Sequence, residues 1–128
     1  LWNVPFHEIP TDVLAERFRR VYEIDVDGAR NCTRAVLPRM IEQKQGSIVF
    51  ISSTPALSGH HATPYTEAKA ALLGLMRDVA KGYGSHGIRA NAVALGDIKT
   101  GWFDGLDAAE QRRLAREPAQ ASRVPEPA

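Results

Sequence analysis

The chain has 128 residues, room for one domain and hardly for two. With 16 basic against 15 acidic side chains its net charge is +1, which gives no electrostatic reason to expect nucleic acid or an acidic membrane surface as a partner. An apolar share of 44% suits a folded protein, no apolar run is long enough to span a bilayer, and no signal-peptide pattern opens the chain. Cys32 is the sole cysteine, which excludes an internal disulfide and a cysteine-based zinc site and makes a reducing, cytoplasmic compartment the default.

Residues 11–43 read as helix, with Thr11 as the cap. Its apolar stripe runs Leu14, Phe18, Val21, Ala29, Cys32, Val36 and Met40, in steps that suit a helix, and places Cys32 in the core. Asp25 falls on the same stripe. Gly28 and Pro38 should bend or interrupt the helix, with a break near Asp25 to Gly28. Gln45-Gly46-Ser47 reads as a turn. Ile48-Val49-Phe50-Ile51 is a short, unbroken, mostly β-branched run, the pattern of a parallel strand covered on both faces. It ends at Ser52-Ser53. A loop with Pro55, Gly59, His60 and His61 follows. Thr63 and Pro64 can start a helix that runs to about Tyr83 and carries Leu72, Leu73, Leu75, Met76 and Val79. Gly82, Gly84 and Gly87 mark its stop, Ile88 to Leu95 is a second strand, and 108–117 is a short polar helix.

Strand, helix and strand in this order predict a βαβ unit with a right-handed crossover. Two strands alone make no self-sufficient sheet, and their outer edges need partners. In open α/β sheets a ligand sits beyond the carboxyl ends of the strands. Ser52 and Ser53, then Tyr65 and Lys69 one turn apart, and 96–100 all converge on that edge. A phenol with a pKa of about 10 is nearly all protonated at neutral pH, and a nearby ammonium favours its ionised form. A tyrosine so placed can pass a proton to or from an alcohol or carbonyl oxygen, and a serine hydroxyl can hold that oxygen as charge develops on it. The Tyr-x-x-x-Lys spacing alone is weak; most such pairs are a packed ring beside a solvated amine.

Four phrases together are specific: 46–53 (Gly-Ser-Ile-Val-Phe-Ile-Ser-Ser), 65–71 (Tyr-Thr-Glu-Ala-Lys-Ala-Ala), 87–93 (Gly-Ile-Arg-Ala-Asn-Ala-Val) and 96–100 (Gly-Asp-Ile-Lys-Thr). With them the chain resembles the short-chain dehydrogenase/reductase family over nearly its whole length. The resemblance implies an α/β fold, part of a doubly wound Rossmann-type parallel sheet with flanking helices. It implies NAD or NADP as cofactor, a small-molecule alcohol or carbonyl as substrate, and a homo-oligomer. Tyr65 would be the proton donor or acceptor. Lys69 would hold the nicotinamide ribose and ease ionisation of Tyr65. The serine would orient the substrate oxygen: the family's is the second of such a pair, hence Ser53, although counting back from Tyr65 lands on Ser52. Gly96, Ile98 and Thr100 match the cofactor-contacting segment, and Leu95 stands where the family has proline. Trp102 and Phe103 fall in the region of the family's substrate lid.

Asp25 matches a position where the family usually has asparagine, which supports a water near the lysine. A carboxylate there keeps one acceptor, replaces the donor with a charge, and favours a protonated Lys69; the alternative is a kink residue in a weakened member. His60 and His61 lack nearby cysteine or spaced acidic partners, so no metal site is expected. The family's phosphate-binding glycine pattern, Thr-Gly-x-x-x-Gly-x-Gly, and its Asn-Asn-Ala-Gly phrase are not in the sequence. The expectation is therefore that residues 1–128 are the carboxyl-terminal catalytic portion of one such domain, truncated at both ends, with poor dinucleotide affinity by itself. The competing reading is a non-catalytic α/β interaction or dimerisation module derived from such an enzyme.

Overall fold

The computed structural model describes residues 4–59, 64–96, 98, 101, 105–109 and 111–112. Two compact units divide the chain, Leu1–Ala94 and Leu95–Ala128. The first contains a long helical arm, a two-stranded parallel sheet and the helix that connects its strands.

The arm opens with α1 (Thr11–Val21). Thr11 is the first helical residue and does not cap it: Pro10 precedes it, and the Pro10 carbonyl accepts the Leu14 N–H at 2.8 Å. The expected interruption is a π-helical turn, Tyr22–Asp27, after which α2 (Gly28–Gln43) continues with Pro38 inside it. A π turn closes its hydrogen bonds from i to i+5, so it holds about one residue more than an α turn and rotates everything after it. This corrects the predicted stripe. Thr33 and Leu37 are buried, whereas Cys32 and Val36, one residue earlier, are exposed. Cys32 is thus a surface residue and not a core one. The arm ends at Lys44, left-handed at φ 51°, where the Gln45 N–H returns to the Met40 carbonyl at 3.1 Å.

Strand β1 (Gly46–Ser53) follows, and the short helix α3 (Pro55–Ser58) occupies part of the expected loop. Helix α4 (Tyr65–Tyr83) starts one residue after Pro64, and β2 (Ile88–Leu95) has the predicted bounds. The core is Leu37 from the arm, Phe50 from β1, Leu72 and Val79 from α4, and Ile88 and Ala90 from β2. Burying an aliphatic or aromatic side chain of this size contributes about 1.5–3 kcal/mol. Among the described residues only the face that carries Phe50, Ile88 and Ala90 is packed; Val49, Ile51 and Val93, on the other pleat, stay half exposed. The double-sided cover predicted for β1 is absent among the described residues, since α2 and α4 both pack on the same side of the sheet.

The turns at the amino ends of the strands interlock. Gly87, at φ 74°, lies against the turn after α2, where a Cβ would sit 2.2 Å from the Lys44 carbonyl oxygen. Glycine is required there by both its backbone angle and its closeness. The Gly46 N–H donates to the Gly87 carbonyl at 3.3 Å, which sets the two strands in register.

Candidate active site

The carboxyl end of β1 and the first turns of α4 meet at a polar cluster. Helix α4 begins where Pro64, itself buried, offers its carbonyl to the Ala68 N–H at 3.0 Å. Ala68 has no exposed surface, and so small a side chain lets these turns lie close to the layer beneath. Tyr65 and Lys69 then fall one turn apart on one side of the helix. The Lys69 ammonium lies 5.5 Å from the centroid of the Tyr65 ring, within cation–π range.

Lys69 is gripped at three points. Its ammonium donates to the Ile51 carbonyl at 3.3 Å and to Asp25 Oδ1 at 3.0 Å. Its own main-chain carbonyl accepts the Ser52 hydroxyl at 2.8 Å. The ion pair is well shielded, with 13% of the lysine side chain and 24% of the aspartate side chain exposed. Asp25 owes its position to the π turn, which turns Val26 into the core and Ile24 out to solvent, at 6% and 58% exposure. The two candidate serines therefore differ. Ser52 is buried and holds the backbone of Lys69, while Ser53, also buried, sits one position on, where successive side chains of a strand point to opposite faces. The structure thus brings Asp25, Ser52, Tyr65 and Lys69 together, with Ser53 at the adjoining strand end.

A second titratable pair lies on the same two elements. Burial pushes the Glu67 carboxyl up from its ordinary value. Burial, and then the Glu67 charge, push the Tyr22 phenol up. Among the described residues no group of three or more His, Cys, Asp or Glu is placed to hold a metal. Gly96 and Ile98 belong to the second unit and are exposed; Thr100, His60, His61, Trp102 and Phe103 lie outside the described residues. Asp107 caps the start of the helix predicted over 108–117, its carboxylate accepting the Ala109 N–H at 2.8 Å.

The contacts of Ser52 and Ile51 are the features that sequence reasoning missed. The signal for Ser52 was its parity: it shares a pleat face with Ile48 and Phe50, so it had to face the helices. Nothing in a sequence marks the Ile51 carbonyl. The string Gly82-Tyr83-Gly84-Ser85-His86-Gly87 has dinucleotide-loop spacing, yet it runs from a helix into a strand, the reverse of the order a phosphate loop needs. The described residues accordingly fit the sugar end of a dinucleotide: beyond its bonds to Asp25 and the Ile51 carbonyl, the Lys69 ammonium has a third N–H, and it lies beside the Tyr65 ring.

Residues 2–111 match the short chain dehydrogenase family, and the chain belongs to it. Subunit BbsD of (2S)-[(R)-hydroxy(phenyl)methyl]succinyl-CoA dehydrogenase from Thauera aromatica is 41% identical over 96 residues, covering 74% of this chain and 39% of that protein. The 3-oxoacyl-[acyl-carrier protein] reductase of Brucella melitensis superimposes with a TM-score of 0.75 at 30% identity, over 84% of this chain and 40% of its own. A gluconate 5-dehydrogenase from Burkholderia cenocepacia, solved with NADP and tartrate, gives a TM-score of 0.70 at 28% identity, over 83% of this chain and 41% of its own. The chain thus spans about two fifths of the length of these relatives. Solved neighbours hold NADP or NAD+. Among the described residues no helix is long and apolar enough to cross a membrane.

Proposed function

We propose that the whole protein is an NAD(P)-dependent oxidoreductase that interconverts an alcohol and a carbonyl, with its proton-transfer site at Tyr65, Lys69 and Ser53. The observation that carries this reading is the placing of Lys69: a shielded ammonium, fixed to the strand end by Ile51, 5.5 Å from the Tyr65 ring. In the oxidation direction Tyr65 takes the hydroxyl proton of the alcohol as the C–O bond becomes C=O. Lys69 offsets the negative charge that the phenol carries before it receives that proton. The Ser53 hydroxyl holds the substrate oxygen in line with Tyr65. The assignment of Ser53 is supported by the resemblance, in which the second serine of such a pair orients the substrate oxygen. A bound nicotinamide supplies the hydride acceptor, or the donor in reduction. Lys69 would hold its ribose; cofactor contacts of Gly96, Ile98 and Thr100 are supported by the resemblance of 96–100 to the family's cofactor-contacting segment.

The relatives that act on acyl thioesters, gluconate and sugars support a small polar alcohol or carbonyl as substrate. Exposed Ile24 and Val36 on the arm support a homo-oligomer, and the single cysteine supports a cytoplasmic setting. The test is turnover of acetoin, gluconate, xylitol and rhamnose with NAD+ and with NADP+, beside a Tyr65→Phe variant. The reading expects reduced cofactor from at least one pair, and a fall of about a thousandfold or more in Tyr65→Phe with the fold intact. Equal turnover in the variant would overturn it.

A further inference from the structure

We infer that Asp25 is a positioning residue which acts on the reaction through Lys69, as a charge and not merely as a spacer; this rests on the proposed roles of Tyr65 and Lys69. An ammonium has three N–H donors. In Lys69 one goes to the Ile51 carbonyl and one to Asp25 Oδ1, which leaves one for the side where Tyr65 and a ribose hydroxyl would meet. Asp25 therefore fixes the direction of that last donor. It also places a negative charge 3.0 Å from the cation, in a pair that solvent only partly reaches. Tyr65 thus faces an ion pair, whose field is weaker than that of a lone ammonium.

Two consequences separate charge from shape. Asn in place of Asp25 keeps the accepting oxygen and removes the charge; Leu removes both. Asp25→Asn exposes Tyr65 to the full positive charge of Lys69. The phenolate is then favoured, so the acid limb of the alcohol-oxidation profile moves to lower pH. Asp25→Leu leaves a shielded ammonium short of one acceptor and free to turn, so its ribose-facing donor is lost to disorder and the Kd for NAD(P)+ rises, by about tenfold. The charged group from the π turn that faces Lys69 is Asp25, and Tyr65 lies on the helix of Lys69 itself. On the same two elements, burial and then the Glu67 charge push the Tyr22 phenol up, and burial pushes the Glu67 carboxyl up.

The experiment uses the whole protein and three readouts. Tyrosinate absorbance is followed against pH without cofactor, with Tyr65→Phe used to pick out the Tyr65 signal. The Kd for NAD+ and for NADP+ comes from fluorescence titration, and the pH profile from turnover. The expected result is an acid shift of both the Tyr65 signal and the profile in Asp25→Asn, with Kd within about threefold of wild type, and weakened cofactor binding only in Asp25→Leu. An unshifted Tyr65 signal in a folded Asp25→Asn variant overturns the inference while leaving the proposed function standing. Turnover that survives Tyr65→Phe overturns the proposed function itself. Should Asp25→Leu fail to fold, the Asp25→Asn titration still decides the matter.

Discussion

Strand β1 shows Ile48, Phe50 and Ser52 to the helical layer and Val49 and Ile51 to the opposite side. Phe50 keeps 5% of its surface exposed, whereas Val49 keeps 53%. The two sides carry side chains of similar hydropathy, so what separates them is the cover: α4 and α2 lie on one side alone. Parallel sheets are found almost only with both faces covered, so the open side marks where a further layer would lie. At the end of the packed side the Ser52 hydroxyl donates to the Lys69 carbonyl and ties the strand to α4, whereas Ser53 falls at the end of the other side.

Substitutions on the two sides can break this contrast. Phe50→Ala should have the largest effect on stability, a loss of about 3–5 kcal/mol in denaturant unfolding, since a cavity opens between both helices. Ser52→Ala should cost about 1–2 kcal/mol, the worth of one buried hydrogen bond, and lower turnover only modestly, because Lys69 keeps its other two anchors. Val49→Thr should change the stability of the 128-residue chain by less than about 0.5 kcal/mol, as a swap on an uncovered surface. A cost for Val49→Thr near that of Phe50→Ala would show that something covers this side in solution.

Much of the frame was legible in the residues. The β-branched run at 48–51, the stop at Gly82 to Gly87 and the second strand at 88–95 all depend on local pattern, and local pattern carries them. Tyr65 and Lys69 were legible because their spacing matches one helical turn and their neighbours make a specific phrase. The burial of the arm was not. Its stripe was read at a constant helical period, and one π turn moved the buried face from Cys32 and Val36 to Thr33 and Leu37. The same turn aims Asp25 at Lys69, so the interruption was legible but its effect on register was not. Ser52 was weighed only as a rival to Ser53 for the substrate oxygen; its structural contact was not legible, because its partner is a main-chain carbonyl 17 positions later.

The most direct test of the central claim is a crystal structure of the whole protein with NAD+ or NADP+ bound. The account predicts that Lys69 Nζ, still paired with Asp25, donates its remaining hydrogen to a nicotinamide-ribose hydroxyl, with the Tyr65 hydroxyl facing the same ring. A cofactor seated away from the end of β1, or Lys69 turned from Tyr65 in its presence, would contradict it.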